Sequence, residues 1–214
     1  MSSGALVVDQ RLVESCAESA GARVNILYRD LVPGLWIAWL LYWRISATAV
    51  KPAQRRETPA SRAAHIVPML IAAILLWVQS IPGGGVLFER FLPASHGRYW
   101  AGTLLLALGL AFSVWARVYI GRNWSATVTV KEGHELIRHG PYALVRHPIY
   151  TGLLLGFIGT AIVRGEWRAV LAVLIVVAAL WRKLRLEECW MSETFGDEYR
   201  RYREHTAALI PFLL

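Results

Sequence analysis

The segment GPYALVRHPIYTG, from Gly140 to Gly152, places ionisable and aromatic side chains directly before an apolar run. A guanidinium can hold a carboxylate and an aromatic face can hold a cation, so these residue types suit a charged ligand. A residue before proline is pushed away from helical dihedrals, whereas proline suits the first turn of a helix. We therefore expect a helix to begin at Pro148 and His147 to face a cavity beside it. A re-entry turn with interfacial aromatic rings is the alternative interpretation.

A second polar segment, RKLRLEECWMSETFGDEYRRYREH, follows the last apolar run. Lys183 and Glu187 are four residues apart and would share one face of a helix. A carboxylate close to a membrane needs a partner, so we expect Glu187 to lie near the segment around His147. Phe195, Tyr199 and Tyr202 are expected to pack this tail under the rest of the chain. Its late arginines simply suit lipid headgroups: Arg200, Arg201 and Arg203.

Metal and nucleotide sites find little support in the sequence. His134, His139 and His147 share one segment, but no cysteine or carboxylate completes a metal-site spacing, so no metal is expected. Cys16 and Cys189 lie far apart and indicate neither a disulfide framework nor a metal site. The glycines of IPGGGVLFE lack the Lys-Ser/Thr of a phosphate loop, and no glycine motif of the dinucleotide-binding type follows a strand.

The composition indicates a membrane protein. Of the 214 residues 56% are hydrophobic, above the roughly 45–50% of soluble domains, and the mean hydropathy is +0.40. Ten Trp and eight Tyr suit aromatic belts at the two membrane interfaces. The net charge is +8, but Lys and Arg cluster beside apolar runs, which favours membrane topology signals over nucleic-acid binding.

Five apolar runs predict an all-α bundle of five transmembrane helices. A membrane span needs ~20 apolar residues, and the shorter runs must extend into their polar flanks. The runs are Leu31–Val50, Ile66–Ile81, Tyr99–Ile120, Ile149–Val163 and Trp167–Trp181. The chain is therefore expected to have three parts. Residues 1–30 form an N-terminal tail with a possible interfacial helix, and residues 31–120 form the first three spans. Residues 121–214 form the functional region, with two more spans and a C-terminal helix.

The distribution of Lys and Arg predicts the orientation. Most of them follow the first, third and fifth runs, which places those ends in the cytoplasm. The N-terminus is then outside and the C-terminus inside, and Asp9 and Glu14 interrupt any signal peptide. The connection from Gly121 to His147 and the C-terminal tail should meet at the inner face, where they would form a cytoplasmic site.

An ordered set of motifs resembles the isoprenylcysteine carboxyl methyltransferase family. GHELIRHGPYALVRHPIYTG is followed by a hairpin of two spans, by EECWMSETFGDEYRRY and by a late LIP. The resemblance covers about Gly121 to Pro211, under half of the chain, and the order of the motifs makes it specific. It implies an integral-membrane enzyme that uses S-adenosylmethionine, related to phospholipid methyltransferases, with a cofactor pocket in the C-terminal half.

The resemblance also implies site residues. The family's cofactor-contacting positions match His134, Leu136, Ile137, Tyr142, His147, Pro148, Tyr150 and Glu187. The family has an arginine four residues before the last of these, thought to face the substrate carboxylate, where this chain has Lys183 beside Arg182. Lysine lacks the bidentate fork of arginine, so the substrate geometry differs. Arg146, Lys183 and Arg182 are the candidates for holding a substrate carboxylate.

The sequence is compatible with two kinds of methyl acceptor, a carboxylate or an amine. A carboxylate is already ionised near neutral pH and needs alignment and desolvation rather than a base. An amine would need a base, for which His147 or Glu188 are the candidates. Prenylated protein C-termini, isoprenoid thioether acids and phospholipid amines all suit an amphiphile that enters from the membrane.

Two other classes of protein compete with a methyltransferase. Sterol-reductase-type enzymes resemble this kind of C-terminal half and bind NADPH, but they usually have more than five spans. A membrane scaffold or small transporter is the non-enzymatic alternative. Transport is disfavoured because the middle parts of the apolar runs carry almost no charge.

Overall fold

The computed structural model describes residues 30–47, 53–78, 84–121, 124, 129–131 and 136–211. Within them the chain is almost entirely helical. The helices are α1 (30–46), α2 (Pro59–Trp77), α3 (His96–Ile120), α4 (Pro141–Leu144), α5 (Pro148–Arg164), α6 (Trp167–Phe195) and α7 (Asp197–His205). A short 3-10 turn covers Val86–Phe88. The N-terminal tail and its possible interfacial helix lie outside the described residues, apart from Asp30.

A small sheet qualifies the all-α prediction. Strand β1 (Ala53–Arg56) pairs antiparallel with β2 (Thr129–Lys131), and Arg56 lies opposite Thr129. The two strands join the connection after α1 to the connection after α3. The pairing was not foreseen, because neither strand is long enough to show an alternating pattern.

Local signals set the helix ends. The Thr58 hydroxyl accepts a hydrogen bond from the Ser61 N–H at 3.2 Å, and the proline at position 59 occupies the first turn of α2. Ser95 caps α3 in the same way. Gly165 adopts the left-handed conformation, with φ 66° and ψ 24°, and closes the tight turn between α5 and α6. The predicted hairpin is therefore confirmed.

Glycines bring α3 and α5 into direct backbone contact. A Cβ atom added at Gly102 would lie 2.6 Å from the Gly159 carbonyl oxygen, and one at Gly109 would lie 2.6 Å from the Gly152 carbonyl oxygen. Such small residues allow helix backbones to approach closely where lipid offers no hydrophobic driving force. These two helices share the largest interface between any two elements in the described part of the chain.

Helix α1 covers this pair through two indole hydrogen bonds. The Trp36 indole N–H donates to the Thr160 hydroxyl of α5 at 3.0 Å. The Trp39 indole N–H donates to the Ser113 hydroxyl of α3 at 2.7 Å. Both acceptor residues are buried, so these bonds fix α1 on the groove between α3 and α5.

Helices α2 and α6 form the second pair. Ala72 and Leu76 of α2 belong to one core cluster with Val176, Leu180 and Leu184 of α6. At the end of the pair where α6 begins, Arg168 contacts Glu166 at 2.5 Å and donates to the main-chain carbonyls of Leu75 and Val78 at 2.9 and 2.5 Å. This buried ion pair closes one end of the bundle, which we term the far end. The opposite end, where α5 begins, is termed the site end.

The outward faces of the helices stay apolar. Two described helices, α2 and α3, are long and apolar enough to cross a membrane, and α5 is a shorter apolar helix. Large apolar side chains remain exposed on α1, α2, α3 and α6, among them Leu40, Ile74, Leu104 and Leu174. A surface of this kind suits contact with lipid. All five predicted apolar runs overlap a helix, but the count of five membrane spans is not established by these lengths.

We predict that Gly152→Ala destabilises the fold. Its new Cβ would lie 2.7 Å from the Ser113 N atom, so α3 and α5 would have to separate. We expect the free energy of unfolding to fall by about 1–3 kcal/mol, which thermal unfolding in detergent micelles would detect. Gly97→Ala is the matched control, because nothing lies within 4 Å of its Cβ. Equal melting temperatures for the two variants would contradict the close packing.

Candidate functional site

The site end is organised by the start of α5. Pro148 occupies the first helical turn, and His147 before it has φ −122° and ψ 61°, outside the helical region. The His147 carbonyl accepts hydrogen bonds from the N–H groups of Tyr150 and Thr151 at 3.0 and 3.1 Å. The predicted helix start and the non-helical His147 are both confirmed.

Glu187 of α6 lies against the first turn of α5. The Tyr150 hydroxyl donates a short hydrogen bond to Glu187 Oε1, and His147 Nδ1 lies 3.6 Å from Glu187 Oε2. The rings of His147 and Tyr150 are stacked, with centroids 5.5 Å apart and planes 2° from parallel. The expected partner of this carboxylate is therefore found in the segment where the sequence predicts it.

Glu188, the next residue, binds Arg146. Arg146 Nε and Nη2 lie 2.8 and 2.7 Å from Glu188 Oε1, and both side chains are less than a tenth exposed. Arg146 Nη1 also donates to the main-chain carbonyls of Thr206 and Arg203. The guanidinium thus joins the α4–α5 connection, α6 and the chain after α7.

The C-terminal segment runs beside the same connection and is held by its main chain. The N–H groups of Arg146 and His147 donate to the carbonyls of Ala207 and Ala208 at 2.8 and 3.0 Å. The Tyr202 hydroxyl donates to the Tyr142 carbonyl at 2.6 Å. Tyr199 and Tyr202 are buried, as the sequence predicts for a tail that packs under the bundle.

Two cations of α6 lie beside this cluster. Lys183 Nζ is 5.3 Å from the centroid of the Tyr150 ring, on the same side of the bundle as Glu187. Arg182 instead reaches α2, where it donates to the Ser61 carbonyl and hydroxyl at 3.0 and 3.2 Å. The three residues predicted to hold a carboxylate therefore have different partners. Lys183 lies over the Tyr150 ring, Arg182 binds Ser61 of α2, and Arg146 binds Glu188.

The remaining predicted cofactor residues are arranged around the turn. His134 lies outside the described residues. Leu136 and Ile137 are half-buried just before α4, and Tyr142 and Pro148 are buried. The structure therefore brings His147, Tyr150 and Glu187 into one cluster, with the Tyr142 backbone bonded to the tail behind it.

Sequence reasoning missed two parts of the site end. The Arg146–Glu188 pair joins residues on different elements, and nothing in their spacing announces it. Glu57, Ser61 and His65 at the start of α2 also belong to this end, through the contact of Ser61 with Arg182. The four-residue spacing of Ser61 and His65 was a readable signal, since it places two polar groups on one face of α2, and Glu57 lies just before this helix.

Electrostatics couple the two carboxylates to His147. Burial raises the pKa of Glu188, but the contacts with His147 and Arg146 outweigh it and lower that pKa to about 2. Burial likewise raises the pKa of Glu187, and contact with His147 and the charge of Lys183 bring it below its ordinary value. Burial lowers the pKa of His147, but its contacts with the two carboxylates raise it above 6.5. The imidazolium form is thus favoured between two carboxylates.

This arrangement suits a ligand that carries both signs of charge. Glu187 and the Tyr150 ring can hold a cationic group, while His147 and Lys183 can hold an anionic one. Among the described residues no group of three or more His, Cys, Asp and Glu side chains is arranged to hold a metal ion. The chemistry at hand is therefore recognition and alignment of charged molecules beside an apolar bundle.

Comparisons with known proteins find methyltransferases and one protein named for metal resistance. The family model described as phospholipid methyltransferase matches residues 97–198. A probable protein-S-isoprenylcysteine O-methyltransferase of Oryza sativa subsp. indica is 30% identical over 137 residues, 59% of this chain and 70% of that protein. The cobalt-zinc-cadmium resistance protein CzcN of Cupriavidus metallidurans is 36% identical over 124 residues, 55% of this chain and 56% of that protein.

Similarity to solved structures extends to the fold. One example is the structure of the eukaryotic intramembrane Ras methyltransferase, isoprenylcysteine carboxyl methyltransferase, with a TM-score of 0.51 and 24% identity. The match covers 74% of this chain and 55% of that one, so the chain spans little more than half of the solved protein. The matched region of the family model includes the start of α5 and the Glu187–Glu188 part of α6.

We predict that Glu188→Gln removes a pH-dependent part of the stability. Because the folded-state pKa of Glu188 is about 2 and its ordinary value is 4.5, its contribution is complete above about pH 4.5 and is lost as the pH falls toward 2. The contribution is on the order of 3 kcal/mol. The melting temperature of the wild type should therefore fall more steeply on acidification than that of the variant.

Glu198→Gln provides the control for this titration. Glu198 forms a 3.0 Å ion pair with Arg138, but each of the two side chains is more than two-fifths exposed. Exposed ion pairs contribute about 0–1 kcal/mol, so this variant should follow the wild type. Parallel acid profiles for wild type and Glu188→Gln would contradict the assignment of the Arg146–Glu188 pair.

Proposed function

The chain belongs to the protein-S-isoprenylcysteine O-methyltransferase family, and we propose that it transfers a methyl group from S-adenosylmethionine to the carboxylate of an isoprenylcysteine-like amphiphile. The observation that carries this proposal is the cluster of Glu187, Tyr150 and His147, with Lys183 over the Tyr150 ring. It combines a carboxylate, aromatic faces and cations at one end of an apolar bundle.

The cluster fits a cofactor with a sulfonium, an ammonium and a carboxylate. The Glu187 side chain keeps 24% of its surface exposed despite its bonds, so its carboxylate can still be reached. His147 Nε2 is buried without a hydrogen-bond partner among the described residues, although Glu188 Oε1 lies 3.5 Å away. We assign the cationic groups of the cofactor to Glu187 and Tyr150, and its carboxylate to His147.

The remaining family positions would line the same pocket. The half-buried Leu136 and Ile137 would cover apolar parts of the cofactor, and Tyr142 and Pro148 would shape the turn behind it. His134 completes the set as a proposal from the family resemblance alone.

Methyl transfer to a carboxylate makes modest demands on the protein. When bound, S-adenosylmethionine supplies an electrophilic methyl carbon, and the C–S electron pair returns to sulfur as the new O–C bond forms. The side chains must then align the acceptor oxygen with that carbon and keep water away. The apolar surfaces of the helices and the buried turn at Pro148 suit both tasks.

Lys183 and Arg182 are the residues we assign to the acceptor carboxylate. They are neighbours at the site end of α6, and Lys183 lies next to the Tyr150 ring of the cofactor cluster. Arg146, also a candidate from the sequence, has its guanidinium bound to Glu188 and to main-chain carbonyls. We therefore assign Arg146 to positioning of the turn rather than to the acceptor.

An amine acceptor is the second candidate, favoured by the match to the phospholipid methyltransferase family model. An amine must lose a proton to a base during methylation. The pKa of Glu188 lies near 2, and the raised pKa of His147 favours the form that already carries a proton. Glu188 is thus poorly suited as a base near neutral pH, which leaves His147 as the candidate base for an amine acceptor.

The membrane arrangement follows from the same proposal. We infer that α1, α5 and α6 cross the bilayer together with α2 and α3, and that the site end faces the cytoplasm. Helix α6 has 29 residues and continues well beyond its apolar part, so it can both span and reach the site. A lipid-like acceptor would then enter from the bilayer between the apolar helices.

We predict micromolar binding of S-adenosylmethionine that depends on the cluster. Isothermal calorimetry on the detergent-purified protein should give a Kd that rises roughly 10- to 100-fold in Glu187→Ala and in His147→Ala, because each loses a charge-assisted hydrogen bond. Glu89→Ala, which removes an exposed carboxylate at the far end of the bundle beside the start of α6, should bind like the wild type.

Transfer itself is then measured with radiolabelled S-adenosylmethionine and two acceptors, N-acetyl-S-farnesylcysteine and phosphatidylethanolamine. Labelling of the first as a base-labile methyl ester supports the proposal, and labelling of the second alone would replace it with the amine alternative. Wild-type protein that is folded but stabilised by NADPH and not by S-adenosylmethionine would contradict both.

A further inference from the structure

Three polar side chains at the start of α2 form a buried group, which we call the α2 triad: Glu57, Ser61 and His65. The Ser61 hydroxyl donates to Glu57 Oε2 at 3.1 Å, and His65 Nε2 lies 3.5 Å from Glu57 Oε1. The Glu57 and His65 side chains are only 1% and 2% exposed. A buried carboxylate is costly unless its charge has a use or a partner.

The α2 triad contacts the proposed acceptor cations. Arg182 binds both the carbonyl and the hydroxyl of Ser61, the residue that bonds Glu57. The neighbouring Lys183 and the more distant Glu187 are close enough to act electrostatically on the His65 ring. Glu57 in turn acts electrostatically on Tyr150, whose ring lies beneath Lys183. The contact of Ser61 with Arg182 therefore brings the triad to the site end of α6 from the N-terminal half of the chain.

The position of the triad is fixed by the sheet as well as by the helix. Strand β1 ends at the residue before Glu57, and it pairs with β2 in the connection between α3 and α4. That connection leads to Leu136 and Ile137, which we assign to the cofactor pocket. Glu57 thus lies in the chain between the sheet and α2, and Ser61 joins it to Arg182 at the site end of α6.

Charge near the acceptor has a direct effect on methyl transfer. A carboxylate loses negative charge as its oxygen bonds the methyl carbon, so cations that hold it strongly stabilise the ground state more than the transition state. Arg182 and Lys183 are two adjacent cations, and a nearby carboxylate weakens their combined pull. A counter-charge at this place would raise both kcat and the KM for the acceptor.

We propose that Glu57, which accepts a hydrogen bond from Ser61, is a positioning residue that moderates the Arg182–Lys183 pair during methyl transfer to a carboxylate. The proposal rests on the proposed function. It adds a residue from the part of the chain that carries no family motif. Glu57 acts mainly through the two cations, so its larger effect falls on the binding and reaction of the acceptor.

The test is steady-state kinetics of Glu57→Gln with N-acetyl-S-farnesylcysteine and S-adenosylmethionine. This variant keeps the shape and removes the charge. We expect kcat to fall about tenfold and the acceptor KM to fall several-fold in the same variant, with the KM for S-adenosylmethionine within about twofold of wild type. Glu57→Asp, which restores the charge, should recover part of both changes.

Glu166→Gln is the matched control at the far end of the same helix pair. Its carboxylate is also buried and binds Arg168, which in turn holds the end of α2. It should lower the melting temperature without lowering the acceptor KM. If Glu57→Gln does not fold, Ser61→Ala is the second variant. This substitution keeps the Glu57 carboxylate but removes the hydroxyl that joins it to Arg182. Ser61→Ala should lower both kcat and the acceptor KM, as expected for Glu57→Gln.

The possible results separate the two proposals. An active wild type whose Glu57→Gln variant shows an unchanged or raised acceptor KM, or whose Glu57→Asp variant recovers nothing, overturns the role of Glu57 alone. A wild type that binds S-adenosylmethionine but labels no carboxylate acceptor overturns the proposed function, and the role of Glu57 with it. A joint fall of kcat and acceptor KM, recovered by aspartate, supports the inference.

Discussion

The buried ion pair between Arg146 and Glu188 is the contact on which the site end depends. Its guanidinium also binds main-chain carbonyls of the C-terminal segment, so one side chain joins three parts of the chain. Burial of an unpaired charge is costly, and each member therefore requires the other. Glu187, the residue before Glu188, is thereby fixed in direction toward Tyr150 and His147. The reactive part of the site is built on this structural pair.

The bundle supplies a stiff support for that end. Glycines let α3 and α5 touch along their backbones, and indole hydrogen bonds fix α1 over them. Helices α2 and α6 form the second pair, closed at the far end by Arg168 and Glu166. Because no hydrophobic force favours helix association within lipid, close packing and buried hydrogen bonds have to do this work.

The charged side chains of the site end fall into two groups with different roles. One acid–base pair, Arg146 and Glu188, is neutralised within itself and serves the fold. Glu187 and Lys183 lie beside it around the Tyr150 ring, where a zwitterionic cofactor and an anionic acceptor would both find opposite charges. The two adjacent glutamates thus have different environments, which sequence position alone would not distinguish.

The sequence by itself determined the features that depend on local sterics and hydrophobicity. Helix α5 begins at Pro148 because proline and the residue before it allow little else, and the five apolar runs became helices for the same kind of reason. The pairing of Glu187 near His147 was also predictable, since a carboxylate at that depth needs a partner. Only the tertiary structure decided that Arg146 meets Glu188, that β1 pairs with β2, and that Glu57 joins the site from α2. Those contacts join residues far apart in the chain, and their formation depends on how the helices pack rather than on any short-range pattern.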